Sequence, residues 1–301
     1  MSKLSIHDNF IRTIMSDKNI AKDYFKSYLP SHVKDRLDFD TLEQSPDTYI
    51  SKDLQKTMSD IVYTCLKKET GEAIKVSLLI EHKSYIDKNT PIQIGSYIFS
   101  GFTKQLINKE KPTMIIPILL YHGKDRWEYH TLEDLFENLE PDWKTFLPNF
   151  DYIYNDLGNI PDEKVEALHN KFLAASILTL KHSFDELWLE NNALRLLMLL
   201  AGSDGNLQSG LIVYLFERSG LKEKKIKNIV EALPSTLKET IMSTADMFIE
   251  KGRKIGLENG KTDFVTNLLR NTDFDQARIA ALANVSQDFV RNVQQQLNSQ
   301  K

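Results

Sequence analysis

The sequence predicts an α/β fold in which a mixed sheet flanked by helices is followed by an all-helical C-terminal region. Two runs rich in β-branched and aromatic residues, 57–66 and 74–82, are joined by a short polar connection that contains a glycine. This arrangement is typical of a hairpin. Residues 113–121 are almost continuously apolar, as expected of a strand buried on both faces. After residue 151, apolar residues recur at helical spacing.

The other elements of the N-terminal half are predicted to be helices. Residues 6–29 have the apolar spacing of two helices, and Asp17 can cap the second. Residues 31–56 are irregular and acidic, so we expect no regular element there. A helix opens at Pro91 and covers about 92–108, because the first turn of a helix does not need the N–H that proline lacks. The order helix, strand, strand, helix, strand indicates an α/β sandwich with a mixed sheet.

The chain is predicted to comprise a core of residues 1–155, a helical domain of residues 156–250, and a charged linker with a small helical tail at residues 251–301. Residues 250–261 are charged and contain several glycines, which favours either a linker or a marginal helix.

Within the tail, residues 279–290 resemble a helix-turn-helix in which Ser286 caps the second helix. In a DNA reader the second helix would enter the major groove. Here that helix is polar but hardly basic. We therefore favour a protein-interaction or oligomerisation role for the tail and leave DNA binding as the alternative.

Composition and charge indicate a soluble globular protein. The net charge of −4 does not indicate a stable nucleic-acid binder, but it weighs less against an enzyme that touches DNA briefly. No apolar run approaches the roughly 20 residues of a membrane span, and no signal-peptide region is seen. A single cysteine, Cys65, excludes an intrachain disulfide, and its place in an apolar strand predicts an inert thiol. We expect a cytoplasmic protein with no membrane partner.

Charged residues interrupt the apolar runs of the predicted hairpin. Asp60 lies in the first run, and Glu81 and Lys83 lie at the end of the second. Strand side chains alternate, so Glu81 and Lys83 share a face and the neighbouring strand can bring Asp60 beside Glu81. Two adjacent carboxylates repel each other unless a cation lies between them, which predicts a Mg²⁺ site with Mn²⁺ as a substitute. His82 and His122 are expected to be structural histidines rather than ligands.

These residue types suit the hydrolysis of a phosphodiester. A metal held by Asp60 and Glu81 polarises a phosphoryl oxygen and acidifies a bound water, which Lys83 can orient or deprotonate. On the next helix, Gln93 and Tyr97 are four residues apart on one face and can contact the phosphate or the water. Each residue also has a plainer interpretation: a turn cap for Asp60, a solvated stripe for Glu81 and Lys83, and helix-surface positions for the other two.

A pattern of five polar residues thus spans the hairpin and the next helix. In chain order it consists of Asp60, Glu81, Lys83, Gln93 and Tyr97. This pattern resembles that of the PD-(D/E)XK nuclease superfamily, with Ser59 where the superfamily has a proline. Longer stretches resemble one branch, the Rpn or YhgA-like family of recombination-promoting nucleases. These stretches are His7, Asp8 and Phe10, residues 37–38, 59–63, 78–84 and 116–123 with Trp127, and 250–253. The resemblance is dense over residues 1–155.

The resemblance implies a restriction-endonuclease-like core and a bacterial, metal-dependent DNA endonuclease linked to recombination or mobile elements. It implies that Asp60 and Glu81 bind the metal, and Lys83 matches the wider superfamily where many family members have Gln. Strand-joining transposases use three carboxylates, so hydrolysis is favoured here. Cutting both strands would favour a homodimer. The alternative is a catalytically inactive relative that acts as a DNA- or protein-binding regulatory module through its helical C-terminal half.

Overall fold

The structure, a computed structural model, describes residues 6–45, 59–80 and 86–299. Over these ranges five strands form one sheet in the order β1-β2-β3-β4-β5. They are β1 (Leu37–Gln44), β2 (Ser59–Lys67), β3 (Ala73–Ile80), β4 (Ile115–Tyr121) and β5 (Ile153–Asp156). Strands β1, β2 and β3 pair antiparallel, whereas β3, β4 and β5 pair parallel. The predicted mixed sheet is therefore confirmed.

The helices of the described chain lie before, between and after the strands. They are α1 (Ile6–Met15), α2 (Lys18–Tyr28), α3 (Ser31–Lys34), α4 (Thr90–Ile107), α5 (Asp162–Glu166), α6 (Lys171–Lys181), α7 (Glu186–Met198), α8 (Gly205–Ser219), α9 (Glu223–Glu231), α10 (Ser235–Asn271), α11 (Gln276–Ala283) and α12 (Gln287–Ser299). No helix among these described residues is both long and apolar enough to cross a membrane.

Strands β2 and β3 form the predicted hairpin. The connection turns at Gly71, whose φ of +66° lies in the left-handed region that glycine adopts without steric cost. The pairing continues without a break from Ser59 opposite Ile80 to Leu66 opposite Ala73. A regular ladder of this length holds the two strands in one fixed register.

Two strands escape the sequence prediction. Strand β1 lies where no regular element is expected, as does helix α3, so that expectation is wrong for residues 31–34 and 37–44. Its register with β2 shifts between Asp38 and Glu43, and this irregularity breaks the alternation of buried and exposed side chains. Strand β5 has four residues, which is too short for a two-residue period to stand out.

Helices cover both faces of the sheet. On one face, the Tyr63 hydroxyl in β2 donates a hydrogen bond of 2.7 Å to the main-chain carbonyl of Met15 at the end of α1. The Tyr63 ring also lies against Phe25 of α2, with centroids 5.7 Å apart. The neighbouring Val62 packs in a cluster with Ile94 of α4. Adjacent strand residues face opposite ways, so α1 and α2 cover one side and α4 covers the other.

Two helices that follow the sheet, α6 and α8, pack onto α2 and α1. Phe10 of α1 stacks on Tyr214 of α8 with ring centroids 4.1 Å apart, and Asn170 donates a 2.8 Å hydrogen bond to Asp23 of α2. The chain divides into two compact units, Met1–Ile241 and Met242–Lys301. The three-part division by sequence stays a prediction.

The second unit has a small core of its own. Val265, Ile279 and Val290 are buried in this core. Asn284 joins α11 to α12 in a left-handed conformation with φ of +50°, and the Ser286 hydroxyl accepts a 3.2 Å hydrogen bond from the Phe289 amide. The two predicted helices and the serine cap are confirmed. Residues 250–261 lie inside α10, so the helical alternative is also confirmed.

Candidate active site

The start of β2 and the end of β3 meet at one edge of the sheet. The register pairs Ser59 with Ile80 and Asp60 with Leu79. In the sequence, Ile80 is followed directly by Glu81. The backbone of Asp60 therefore lies beside the last residues of the strand that leads to the second predicted metal ligand.

Two residues of the predicted constellation, and the histidine between them, fall in a segment outside the described ranges. These are Glu81, His82 and Lys83, and the structure likewise describes Asp60 by its backbone alone. Their roles stay predictions, as does the backbone pairing of the segment that contains them.

Helix α4 carries the other two predicted residues to this part of the sheet. It connects the parallel strands β3 and β4, so it runs back along the sheet from the edge where β3 ends. Val62, two residues after Asp60, packs with Ile94 and Tyr97 of this helix in one cluster. The early turns of α4 thus lie against the strand that carries Asp60.

Gln93, in the first turns of α4, is held by a carboxylate. Its side-chain nitrogen donates a 3.1 Å hydrogen bond to Oδ2 of Asp87. Its side-chain oxygen Oε1 is buried and accepts no hydrogen bond from the described residues. Leaving a buried acceptor in this state costs about 1–3 kcal/mol, so the atom points to a donor or cation outside the described residues.

Tyr97 is part of the core. Its side chain is 1% exposed and packs with Tyr121, Trp127 and Tyr152. The interpretation of Tyr97 as a helix-surface residue is therefore wrong. Gln93 is half-buried, so it too is more enclosed than a surface position.

Asp87 is a residue of this region that the sequence pattern did not single out. Its Oδ1 accepts a 2.9 Å hydrogen bond from the Asn89 amide, and its Oδ2 accepts the bond from Gln93. An acid just before a helix is typical of turns and caps, so the sequence offers no signal that separates this carboxylate from many others.

The donor chemistry of the region suits a hard cation. Mg²⁺ and Mn²⁺ prefer carboxylate and carbonyl oxygens, the atoms that Asp60 and Glu81 supply, and the buried Oε1 of Gln93 adds a further oxygen in need of a partner. Among residues 6–45, 59–80 and 86–299, no three His, Cys, Asp or Glu side chains are grouped as a metal site.

A comparison with protein families identifies the chain. The model of the family described as "Putative transposase, YhgA-like" matches residues 5–206, which is about two thirds of the 301 residues. The chain belongs to this family.

Several Escherichia coli proteins are related to this chain and match it over most of their own length. Inactive recombination-promoting nuclease-like protein RpnE of strain K12 is 24% identical over 261 residues, 85% of this chain and 85% of its own. Recombination-promoting nuclease RpnA of the same strain is 24% identical over 290 residues, 91% and 96% of the two chains. Recombination-promoting nuclease RpnD of O157:H7 is 23% identical over 247 residues, 80% and 92%. No solved structure matches.

Several residues behind the YhgA-like resemblance have structural roles. Tyr121 donates a 2.6 Å hydrogen bond from its hydroxyl to the main-chain carbonyl of Asp125, and a Cβ on Gly123 would overlap this hydroxyl. His122 is 2% exposed, with Nδ1 3.4 Å from the Ser183 hydroxyl, so the expectation of a structural histidine is confirmed. These residues therefore stabilise the turn at the end of β4.

Proposed function

We propose that this chain is a metal-dependent DNA endonuclease with a restriction-endonuclease-like, PD-(D/E)XK core. One observation carries the proposal: the backbone of Asp60 pairs with the end of β3, and Val62 on the same strand packs against Ile94 of the helix that carries Gln93. The sequence places Glu81 and Lys83 directly after that edge. The names of RpnA and RpnD support a nuclease in general.

In this proposal each residue has its own task. Asp60 and Glu81 hold Mg²⁺ through carboxylate oxygens, and positions 60 and 62 share a face because strand residues alternate. When bound, the metal polarises a phosphoryl oxygen and favours loss of a proton from water. Lys83 holds the phosphate as a point charge or takes up the proton, and Gln93 orients a group at the reacting centre. The link to recombination or mobile elements is inferred from the names of the family and of its relatives.

The test is cleavage of supercoiled plasmid by the purified full chain. We expect nicking with Mg²⁺ or Mn²⁺, and no nicking when a chelator is present. Asp60→Ala and Glu81→Ala should each lower the rate by at least about 100-fold, since either change removes a metal ligand. Circular dichroism would show that both variants keep the fold.

Glu43→Ala is the matched control, because Glu43 is an exposed carboxylate on β1 of the same sheet. It should cleave at the wild-type rate. Cleavage that survives both Asp60→Ala and Glu81→Ala would contradict the site. Linear product that appears together with nicked circles, and rises with the square of protein concentration, would support a homodimer.

A second candidate is a catalytically inactive relative that binds DNA or a protein. The name of RpnE, a relative described as inactive, favours it. In that case no cleavage would occur in either metal, Asp60→Ala would change nothing, and full-length chain would still retain DNA or a partner protein. Cleavage by wild type that needs Asp60 excludes this candidate.

A further inference from the structure

Asp87 and Gln93 form a hydrogen bond in which the chemistry of the two groups fixes which one donates and which one accepts. A primary amide can present either its oxygen or its nitrogen to a partner, and the two orientations have nearly the same shape. An ionised carboxylate only accepts hydrogen bonds. With Nε2 of Gln93 3.1 Å from Oδ2 of Asp87, the NH₂ group faces Asp87 and Oε1 faces away.

Asp87 is itself tied to the start of α4. Its Oδ1 accepts a 2.9 Å hydrogen bond from the Asn89 amide. Its main-chain carbonyl accepts bonds of 3.2 Å from the Thr90 amide and 2.9 Å from the Thr90 hydroxyl. Thr90 is buried at 1% exposure. The orientation of the Gln93 amide therefore depends on a carboxylate held by the backbone.

The oxygen of Gln93 that faces away from Asp87 meets no donor in the described ranges. Oε1 of Gln93 is buried and accepts no hydrogen bond within the part of the chain that the structure describes. A buried oxygen of this kind is commonly met by an internal water. Water can donate to it, whereas the oxygens of a DNA phosphate only accept hydrogen bonds and would be repelled.

We propose that Asp87 is a positioning residue, which turns the carbonyl oxygen of Gln93 toward the attacking water and away from a role in binding phosphate. This inference rests on the proposed nuclease function and deepens it. From its position on the helix alone, Gln93 could contact either the phosphate or the water. The bond to Asp87 favours the water over the phosphate.

A double-mutant comparison tests this role. Gln93→Ala and Asp87→Ala should each lower kcat for plasmid nicking by about 10-fold or more, with KM for DNA within about twofold of wild type. The double variant should be no slower than Gln93→Ala, because Asp87 acts through Gln93. Multiplying effects, or a rise in KM at unchanged kcat, would overturn the inference.

An exchange of donor and acceptor provides a rescue. Gln93→Glu alone sets two carboxylates against each other and should lower kcat by about 10-fold or more. Adding Asp87→Asn supplies an amide that can donate, so an acceptor oxygen again faces the site, and kcat should recover about 10-fold over Gln93→Glu. Absence of recovery would count against the inference.

A spectroscopic readout works without metal or activity. In ¹⁵N-labelled, metal-free protein, the side-chain amide pair of Gln93 is identified by its loss in Gln93→Glu. Asp87→Ala should move this pair toward the position of solvated glutamine amides. An amide pair that stays in place would overturn the arrangement.

Asp204→Ala is the matched control for both measurements. Asp204 caps α8 and accepts a 2.8 Å hydrogen bond from the Asn206 amide, the same two-residue spacing as Asp87 and Asn89. It should lower Tm as Asp87→Ala does and leave nicking and the Gln93 amide unchanged. Wild type that cleaves no DNA defeats the proposed function, and the amide measurement still decides whether Asp87 orients Gln93.

Discussion

His7 in α1 and Tyr214 in α8 lie 207 residues apart and are joined by a hydrogen bond of 2.7 Å between Nδ1 and the phenolic oxygen. Both side chains are buried. Phe184 stacks on the His7 ring with centroids 5.6 Å apart. This bond ties the first described helix to a helix that follows the sheet.

Tyr214→Phe should lower the free energy of unfolding by about 1–3 kcal/mol, because it removes the hydroxyl partner of a buried imidazole. Urea unfolding followed by circular dichroism measures the loss. Tyr28→Phe is the matched control: the Tyr28 hydroxyl is buried and has no hydrogen-bond partner among the described residues. That variant should be neutral or slightly more stable. Equal losses in the two variants would contradict the importance of the bond.

Asp162 on α5 should make stability depend on pH. Burial raises the pKa of this carboxyl, but hydrogen bonds from Lys181 at 2.6 Å and His182 at 3.0 Å outweigh burial, and the pKa lies below its usual range. A lowered pKa in the folded state gives stability that is present above the unfolded value and is lost as pH falls through the folded one.

Asp162→Asn should therefore cost about 1 kcal/mol at pH 7, and the difference from wild type should shrink as pH falls below about 4. Urea unfolding at both pH values measures it. Glu163→Gln, an exposed carboxylate on the same helix, should show a smaller difference at both pH values. A deficit in Asp162→Asn that persists at low pH would contradict the assignment.

Gly123→Ala should lower the free energy of unfolding by about 1–3 kcal/mol, because the added methyl overlaps the hydroxyl of buried Tyr121. Thermal unfolding measures the effect. Gly205→Ala is the control, since a Cβ at Gly205 in the first turn of α8 meets nothing within 4 Å. That change should be neutral or stabilising. Wild-type stability in Gly123→Ala would contradict this prediction, because it would show that the turn after β4 rearranges at little cost in free energy.

Cys65 should be an unreactive thiol. It is buried in β2 and donates a 2.9 Å hydrogen bond to the main-chain carbonyl of Asp38, and burial raises the pKa of the thiol. A thiol reagent should label the native protein about 100-fold more slowly than the urea-unfolded protein. Cys65→Ala should keep the wild-type nicking rate. Rapid labelling of native protein would contradict this expectation.

The hairpin and the crossover helix could be predicted because their signals are local. The β-branched runs, Gly71 in the turn and Pro91 in the first helical turn each specify nearby backbone. Strand β1 could not be predicted, since its register shift moves the next buried residue from the expected position 41 to Leu42. The contact between His7 and Tyr214 joins residues that are far apart in the sequence, so no local sequence pattern predicts it.

The residues of the candidate site likewise divide into those that a local sequence pattern predicts and those that only the folded chain reveals. Gln93 is a candidate from the sequence because its spacing from Tyr97 fits one helical face. Its partner Asp87 was missed, because an acid before a helix resembles an ordinary cap and only the folded backbone shows that its second oxygen reaches Gln93. Tyr97 was expected at the surface as one alternative, and only packing against Trp127 and Tyr152 shows it to be core.

The order of the strands in the sheet has a consequence for synthesis of the chain. The order of the five described strands across the sheet is the same as their order in the sequence. Each strand from β2 onward therefore pairs with a strand that has already been synthesised. Domains fold from the N-terminus while translation proceeds at about 5–20 residues per second. The sheet can therefore grow outward on the ribosome, and the His7 contact with Tyr214 closes the first unit only after β5 has emerged.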